Sequence, residues 1–148
     1  MGRYTSAMKR PNIKTILSTV KRRSKKDPLP VSLRKNTTEI FYQQSKLAKM
    51  TVPLHEEPHL RQWKHWKIID NAFPYDVAFS THHLLLPKRV VPENELTGTE
   101  RAELEKILEA VSDEYDCLLV NFISKQSVRN HFHVHLMTYK DERSNLTF

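Results

Sequence analysis

Asn130-His131-Phe132-His133-Val134-His135-Leu136-Met137 sets three histidines in alternation with apolar residues. A β-strand turns successive side chains to opposite faces. As a strand, the stretch puts His131, His133 and His135 in one row, about 7 Å from each to the next. Phe132, Val134 and Leu136 then line the other face and can pack. Each imidazole brings ring nitrogens that need partners once they leave water. Three in a row make a poor core face, so the row reads as the wall of a site. Three chemistries suit it. Neutral imidazoles can ligate a metal, one can act as a nucleophile oriented by its neighbours, or all three can be structural. The structural reading is common for one histidine and weak for three in register. The metal reading lacks a carboxylate or cysteine close in sequence to complete a ligand set.

The chain has 148 residues and 39% apolar content, enough for one domain with a core and not for two. Its net charge of +7 is unevenly placed. Residues 1–26 carry Arg3, Lys9, Arg10, Lys14, Lys21, Arg22, Arg23, Lys25 and Lys26 and no acid. The remainder holds 15 basic against 17 acidic groups, a formal −2. The basicity therefore belongs to an arm, and the folded part is near neutral. Residues 1–36 read as a basic, flexible arm, and residues 37–148 as the domain. A short amphipathic helix over Asn12–Arg23 is one alternative within the arm. A nucleic-acid-binding segment and a lysine-rich transit peptide are two others. A single cysteine, Cys117, and the lack of a membrane-length apolar run predict a reducing, cytoplasmic setting without a membrane.

The remaining elements follow from spacing. Thr37 or Thr38 can open a helix through about Met50 with Ile40, Phe41 and Leu47 inward. Pro53 and Pro58 mark a loop that carries His55 and His59 as surface residues. Trp66 to Asn71 and Val77 to Leu86 read as strands, the second stopped by Pro87. Trp63 and Trp66 read as core or dimer-contact aromatics. From Thr97 to Asp113 the pattern is helical: Thr97 and Glu100 have capping-box spacing, and Leu104, Ile107, Leu108 and Val111 share a face. Cys117 to Asn121 reads as a buried strand. The order strand, strand, helix, strand, strand predicts an α+β domain with a mostly antiparallel sheet.

His131-Phe132-His133-Val134-His135-Leu136-Met137 resembles the signature of the histidine-triad (HIT) superfamily. Thr81-His82-His83-Leu84-Leu85-Leu86-Pro87-Lys88-Arg89 is similar to that superfamily's second landmark. Asn71-Ala72-Phe73-Pro74 looks like the turn before that landmark in the aprataxin-like and galactose-1-phosphate uridylyltransferase-like branches. The resemblance covers about residues 66–139 and implies a HIT-like fold with a long helix between the two landmarks. It implies a nucleotide hydrolase or nucleotidyl transferase in which His133 attacks an α-phosphate and carries a transient nucleotidyl group. His131 and His135 would donate to phosphate oxygens or the leaving group, and His82 would lie against the triad. Asn121, Ser127 and Gln126 would serve the phosphate side, and Asn71 the ribose. No metal and no cofactor are implied. The partners implied are a nucleotide or nucleotide conjugate and, as in many relatives, a second copy of the chain. An aprataxin-like alternative removes AMP from 5′-adenylated DNA, or binds nucleotide or DNA without catalysis, with residues 1–36 supplying affinity. One departure bears on the phosphate grip. Arg129 and Asn130, two residues where relatives have one, separate Gln126-Ser127-Val128 from His131, and Lys125 stands where relatives have glycine. Ser127, Arg129 and Asn130 thus remain alternatives for the phosphate contact.

Overall fold

In a computed structural model, residues 29–142 and 146 are described. The helix expected over Asn12–Arg23, and the basic cluster of residues 1–26, lie outside the described residues. Five strands form one antiparallel sheet: β1 (His59–Gln62), β2 (Trp66–Asp70), β3 (Phe79–Pro87), β4 (Cys117–Leu119) and β5 (Val134–Tyr139), in the order β1-β2-β3-β5-β4. Two α-helices accompany it among the described residues, α1 (Asn36–Leu47) and α2 (Gly98–Ala110). The α+β arrangement with an antiparallel sheet is the one found, with residues 81–87 and 134–137 on adjacent strands β3 and β5 and the long helix between them in sequence.

Period-two alternation explains the two faces of the sheet. On one face Trp66, Ile68, Leu85, Phe132, Val134 and Leu136 are buried against Ile107 of α2 and Val111 at its C-terminal cap. Trp66 is fully buried; its indole N–H donates to the carbonyl of Glu100 at 2.9 Å, and its ring meets Phe132 edge-on. Trp66 is thus a core residue, with Trp63 packed at the core's margin. Helix α2 begins as its sequence dictates: Thr97 accepts from the Glu100 backbone N–H, and the Glu100 carboxylate accepts from the Thr97 N–H. Glu100 also takes two hydrogen bonds from Arg89, at 2.7 and 3.1 Å, so Arg89 is held at the helix start. The opposite face carries Ile69, Leu84 and Leu86 as a smaller cluster, and beside them the histidines.

Four expectations differ from what the fold shows. Strand β1 lies where a loop was expected. All four of its residues are exposed, so it carries no alternating signal, and it pairs at the sheet edge with β2. Strand β4 is short and lies at the other edge, with Leu118 at 52% exposure instead of buried. Ile40 and Leu47 face solvent, while Glu39, Gln44 and Ser45 are the buried residues of α1. This helix covers polar ground: Glu39 pairs with Arg34 at 3.1 Å, and the Ser45 hydroxyl donates back to the Phe41 carbonyl. Residues 29–36, read as part of the arm, are tied to the domain in their second half. Val77 N–H donates to the Leu33 carbonyl, and Asp76 accepts from the Lys35 N–H at 2.8 Å and the Thr38 hydroxyl at 2.6 Å. The Asp76 carboxylate thereby caps α1 from a distant loop.

Candidate active site

The ladder places the histidines. Leu84 stands opposite His135, and His82 stands opposite Met137. Directly paired residues of antiparallel strands share a face, so His82 and His135 are diagonal neighbours within reach of each other. Their Nε2 and Nδ1 atoms are 2.7 Å apart. His83 points to the other face, where it bonds the Tyr115 hydroxyl at 2.7 Å. Only His135 of the triad lies within β5. His131 and His133 precede it, in a segment that follows residues 87–91: Phe132 N–H donates to the Val91 carbonyl, and His131 Nε2–H to the Pro87 carbonyl at 2.7 Å. The alternation nonetheless persists through this segment, since Phe132 packs in the core and all three histidines line one cleft.

The cleft encloses about 480 Å³. His131, His133 and His135 form one wall, with Asn121 and Ser127 beside them. Phe41 and Tyr42 of α1 line the cleft too, packed on Phe73 from the loop after β2, which also contributes Tyr75. Asn71 lines it as well. Its side-chain oxygen accepts from the Phe73 N–H at 2.9 Å, which fixes the loop that carries Tyr75. Asn130 lines the cleft, whereas Arg129 turns away and donates to the Ser124 carbonyl. Gln126 lies behind the wall, where its amide donates to the Asn121 carbonyl at 2.9 Å. His82 backs His135.

A fixed backbone donor sets the tautomers. Tyr75 N–H points at His82 Nδ1 from 2.8 Å, so that nitrogen must accept. The His82 proton therefore sits on Nε2 and is donated to His135 Nδ1. His135 in turn carries its proton on Nε2. That N–H meets the Asn121 amide nitrogen at 3.3 Å. Two donors do not bond each other, so the His135 N–H is satisfied by the amide oxygen after a half-turn, or by an acceptor brought into the cleft. The third ring follows separately. His133 Nδ1 lies 2.9 Å from the His131 carbonyl, which accepts its proton and leaves a lone pair on Nε2. The His131 ring proton goes to Pro87, so His131 does not offer the cleft an N–H as expected.

All four rings are at most 6% exposed. Burial, followed by the positive charge of Arg34, pushes His82 down to about 3. Burial, followed by its neighbours His133 and His82 and by Arg34, pushes His135 down to about 2. Burial lowers His131 and His133 as well, against the pull of the carbonyls they bond. Near neutral pH the cleft thus presents the His133 Nε2 lone pair and, on His135, a ring N–H.

Sequence reasoning missed two contributors. Tyr75 stacks on His135 at 5.1 Å and 18°, and its ring lies 4.5 Å from that of His82. Its place after the Asn-Ala-Phe-Pro turn was the available signal. Arg34, hidden in a run of basic residues, reaches the cleft wall from before α1. Among the described residues, no group of three or more His, Cys, Asp or Glu is arranged to hold a metal ion. No described helix is long and apolar enough to cross a membrane.

No protein-family model matches the chain, and no curated protein matches it. Among solved structures, HTC1 is similar over 76% of this chain and 77% of its own, with 20% identity and a TM-score of 0.47. A HIT family hydrolase from Legionella pneumophila Philadelphia 1 is similar over 66% of this chain and 90% of its own, with 22% identity and a TM-score of 0.43.

Proposed function

We propose that the chain is a nucleotide hydrolase or nucleotidyl transferase that acts at an α-phosphate through a nucleotidyl group carried on His133. The observation that carries this reading is the 2.9 Å bond from His133 Nδ1 to the His131 carbonyl, in a cleft with His135 alongside. The bond aims the Nε2 lone pair and also stabilises the positive charge that the ring acquires on attack. In the first step a bond forms from Nε2 to the α-phosphorus. The bond to the leaving group breaks with its electron pair, and the leaving group takes a proton from water. In the second step water or another acceptor attacks the phosphorus, loses its proton to solvent, and the phosphorus–nitrogen bond returns its electrons to His133. His135 Nε2–H donates to a phosphoryl oxygen throughout, and His82 holds His135 in that tautomer. Asn121 and Ser127 flank the phosphate, and the Phe41, Tyr42 and Phe73 side chains offer aromatic contacts for a base. The Asn71 amide stays on the ribose side, with its oxygen shared with Phe73 N–H.

The test is turnover of an adenylate phosphoramidate or a diadenosine polyphosphate, with mass detection of an adduct on His133. His133→Ala should abolish both. Turnover that survives this substitution would falsify the mechanism. A second reading rests on the nine basic and no acidic residues of 1–26. In it, the same chemistry serves 5′-adenylated DNA, held by the arm through phosphate contacts. Duplex binding that weakens steeply with salt and disappears on deleting residues 1–36 supports it. Equal binding without the arm removes it.

A further inference from the structure

We propose that Arg34 is a phosphate-binding residue of the cleft, presented by the segment that leads into α1. The inference rests on the nucleotide reading given above and adds a residue from outside the expected domain. The Arg34 side chain is only 11% exposed, and it lines the cleft. Its guanidinium is pinned on two sides. Nε–H donates to the Phe73 carbonyl at 2.7 Å, and Nη1–H to Glu39 at 3.1 Å. Nη2 has no hydrogen-bond partner among the described residues. Its Cζ lies over the Tyr42 ring, 4.2 Å from the centroid, and over the Tyr75 ring, 5.1 Å from the centroid. Tyr75 in turn stacks on His135. The guanidinium is thus one aromatic ring away from the histidine that offers its N–H to the cleft.

Three features make this a built anion site. A guanidinium whose orientation is set by two hydrogen bonds and two ring faces has little side-chain entropy left to lose when it binds. Its remaining N–H groups, on Nη1 and Nη2, form a planar fork suited to phosphate oxygens. The positive charge also reaches both His82 and His135, where it opposes their protonation despite the nearby Glu39. The same field favours a phosphate and the charge that gathers on it during transfer. Arg34, Tyr75 and His135 together thus meet the phosphate side, while Phe41 and Phe73 meet the base.

Removing Arg34 alone strands the buried Glu39, so the variant of choice is the pair R34Q/E39Q, which removes both charges. The four common 5′-nucleoside monophosphates and their nucleosides are titrated into the full chain by calorimetry. The wild type should bind one monophosphate more tightly than its nucleoside. R34Q/E39Q should lose about 10- to 100-fold in monophosphate affinity and leave the nucleoside's affinity unchanged. A merely structural Arg34 would lower both affinities together. That result, or a monophosphate affinity equal to wild type, overturns the role of Arg34 while the nucleotide reading stands. A wild-type chain that binds none of the four overturns that reading and this inference with it. Where R34Q/E39Q does not fold by its melting curve, R34M/E39L replaces the ion pair by apolar side chains of similar size and is read in the same way.

Discussion

His82 and His135 are both buried and neutral, yet their contributions differ because one backbone N–H breaks the symmetry between them. Tyr75 N–H occupies His82 Nδ1, so everything His82 gives to His135 comes from Nε2. A glutamine side chain places an amide N–H near the position of a histidine Nε2, and an asparagine does not reach it. His82→Gln should therefore keep most of the turnover, whereas His82→Asn should lose about 10²-fold in kcat. Equal losses in the two variants would show that the tautomer chain is irrelevant. The second prediction at this scale concerns His133. Burial lowers its pKa below 6.5, and only the unprotonated ring has a lone pair. Activity should be level from pH 8 down to about 6.5 and fall only at lower pH, as a kcat/KM profile would record. A fall that begins above 6.5 points to a different titrating group. The four histidines were legible because alternation and one resemblance located them. Arg34 and Tyr75 were not, since the cleft recruits one from a stretch that looks like tail and the other from a turn, and neither position has a periodic neighbour.

At the scale of elements, α2 and α1 make opposite cases. Helix α2 was legible at its start, with its end three residues short of the expected Asp113, because its cap, its apolar stripe and its charged outer face all agree with one another. Its capping box should carry real weight. Thr97→Ala should cost about 1 kcal/mol, a fall of about 4 °C in Tm. The folded variant should turn over substrate like the wild type, because α2 packs on the sheet face away from the cleft. Thermal melts and assays on the same samples check both parts, and a loss of activity in folded protein would mean that the two faces are coupled. Helix α1 was legible in extent but not in orientation. Apolar spacing assigned Ile40 and Leu47 inward, yet the helix turns Glu39 in to Arg34, and its start is held by Asp76 from the loop after β2. Electrostatic partners outside the helix, invisible to a periodicity count, decided which face turns in. The edge strands failed for a related reason. With one side unpaired, β1 and β4 bury too little to impose alternation on their sequences.

For the whole molecule, the histidine cleft predicts where acid should weaken the fold. His82, His131, His133 and His135 are all held below their ordinary pKa of 6.5, chiefly by burial. An unfolded chain takes up these protons as pH falls through 6.5, whereas the native chain takes them up only at lower pH. The unfolded state therefore binds more protons in the interval between, and stability falls as pH falls. For His82 and His135 that interval runs from 6.5 to about 3 and about 2. Each ring contributes up to about 1.4 kcal/mol per pH unit across it. Two such rings between pH 6.5 and 4.5 remove up to about 5 kcal/mol, comparable with the entire stability of a small domain. Carboxylates enter later: Glu100, held down to about 2 by Arg89 from an ordinary 4.5, loses its stabilising contribution only below 4.5. The denaturant midpoint should thus drop between pH 6.5 and 4.5, before the carboxylates protonate. In H82F/H135F the drop should be much shallower, because two of the four proton-accepting rings are gone. Urea titrations at half-unit intervals would show this, and an equally steep fall in the double variant would place the acid sensitivity outside the histidine cleft.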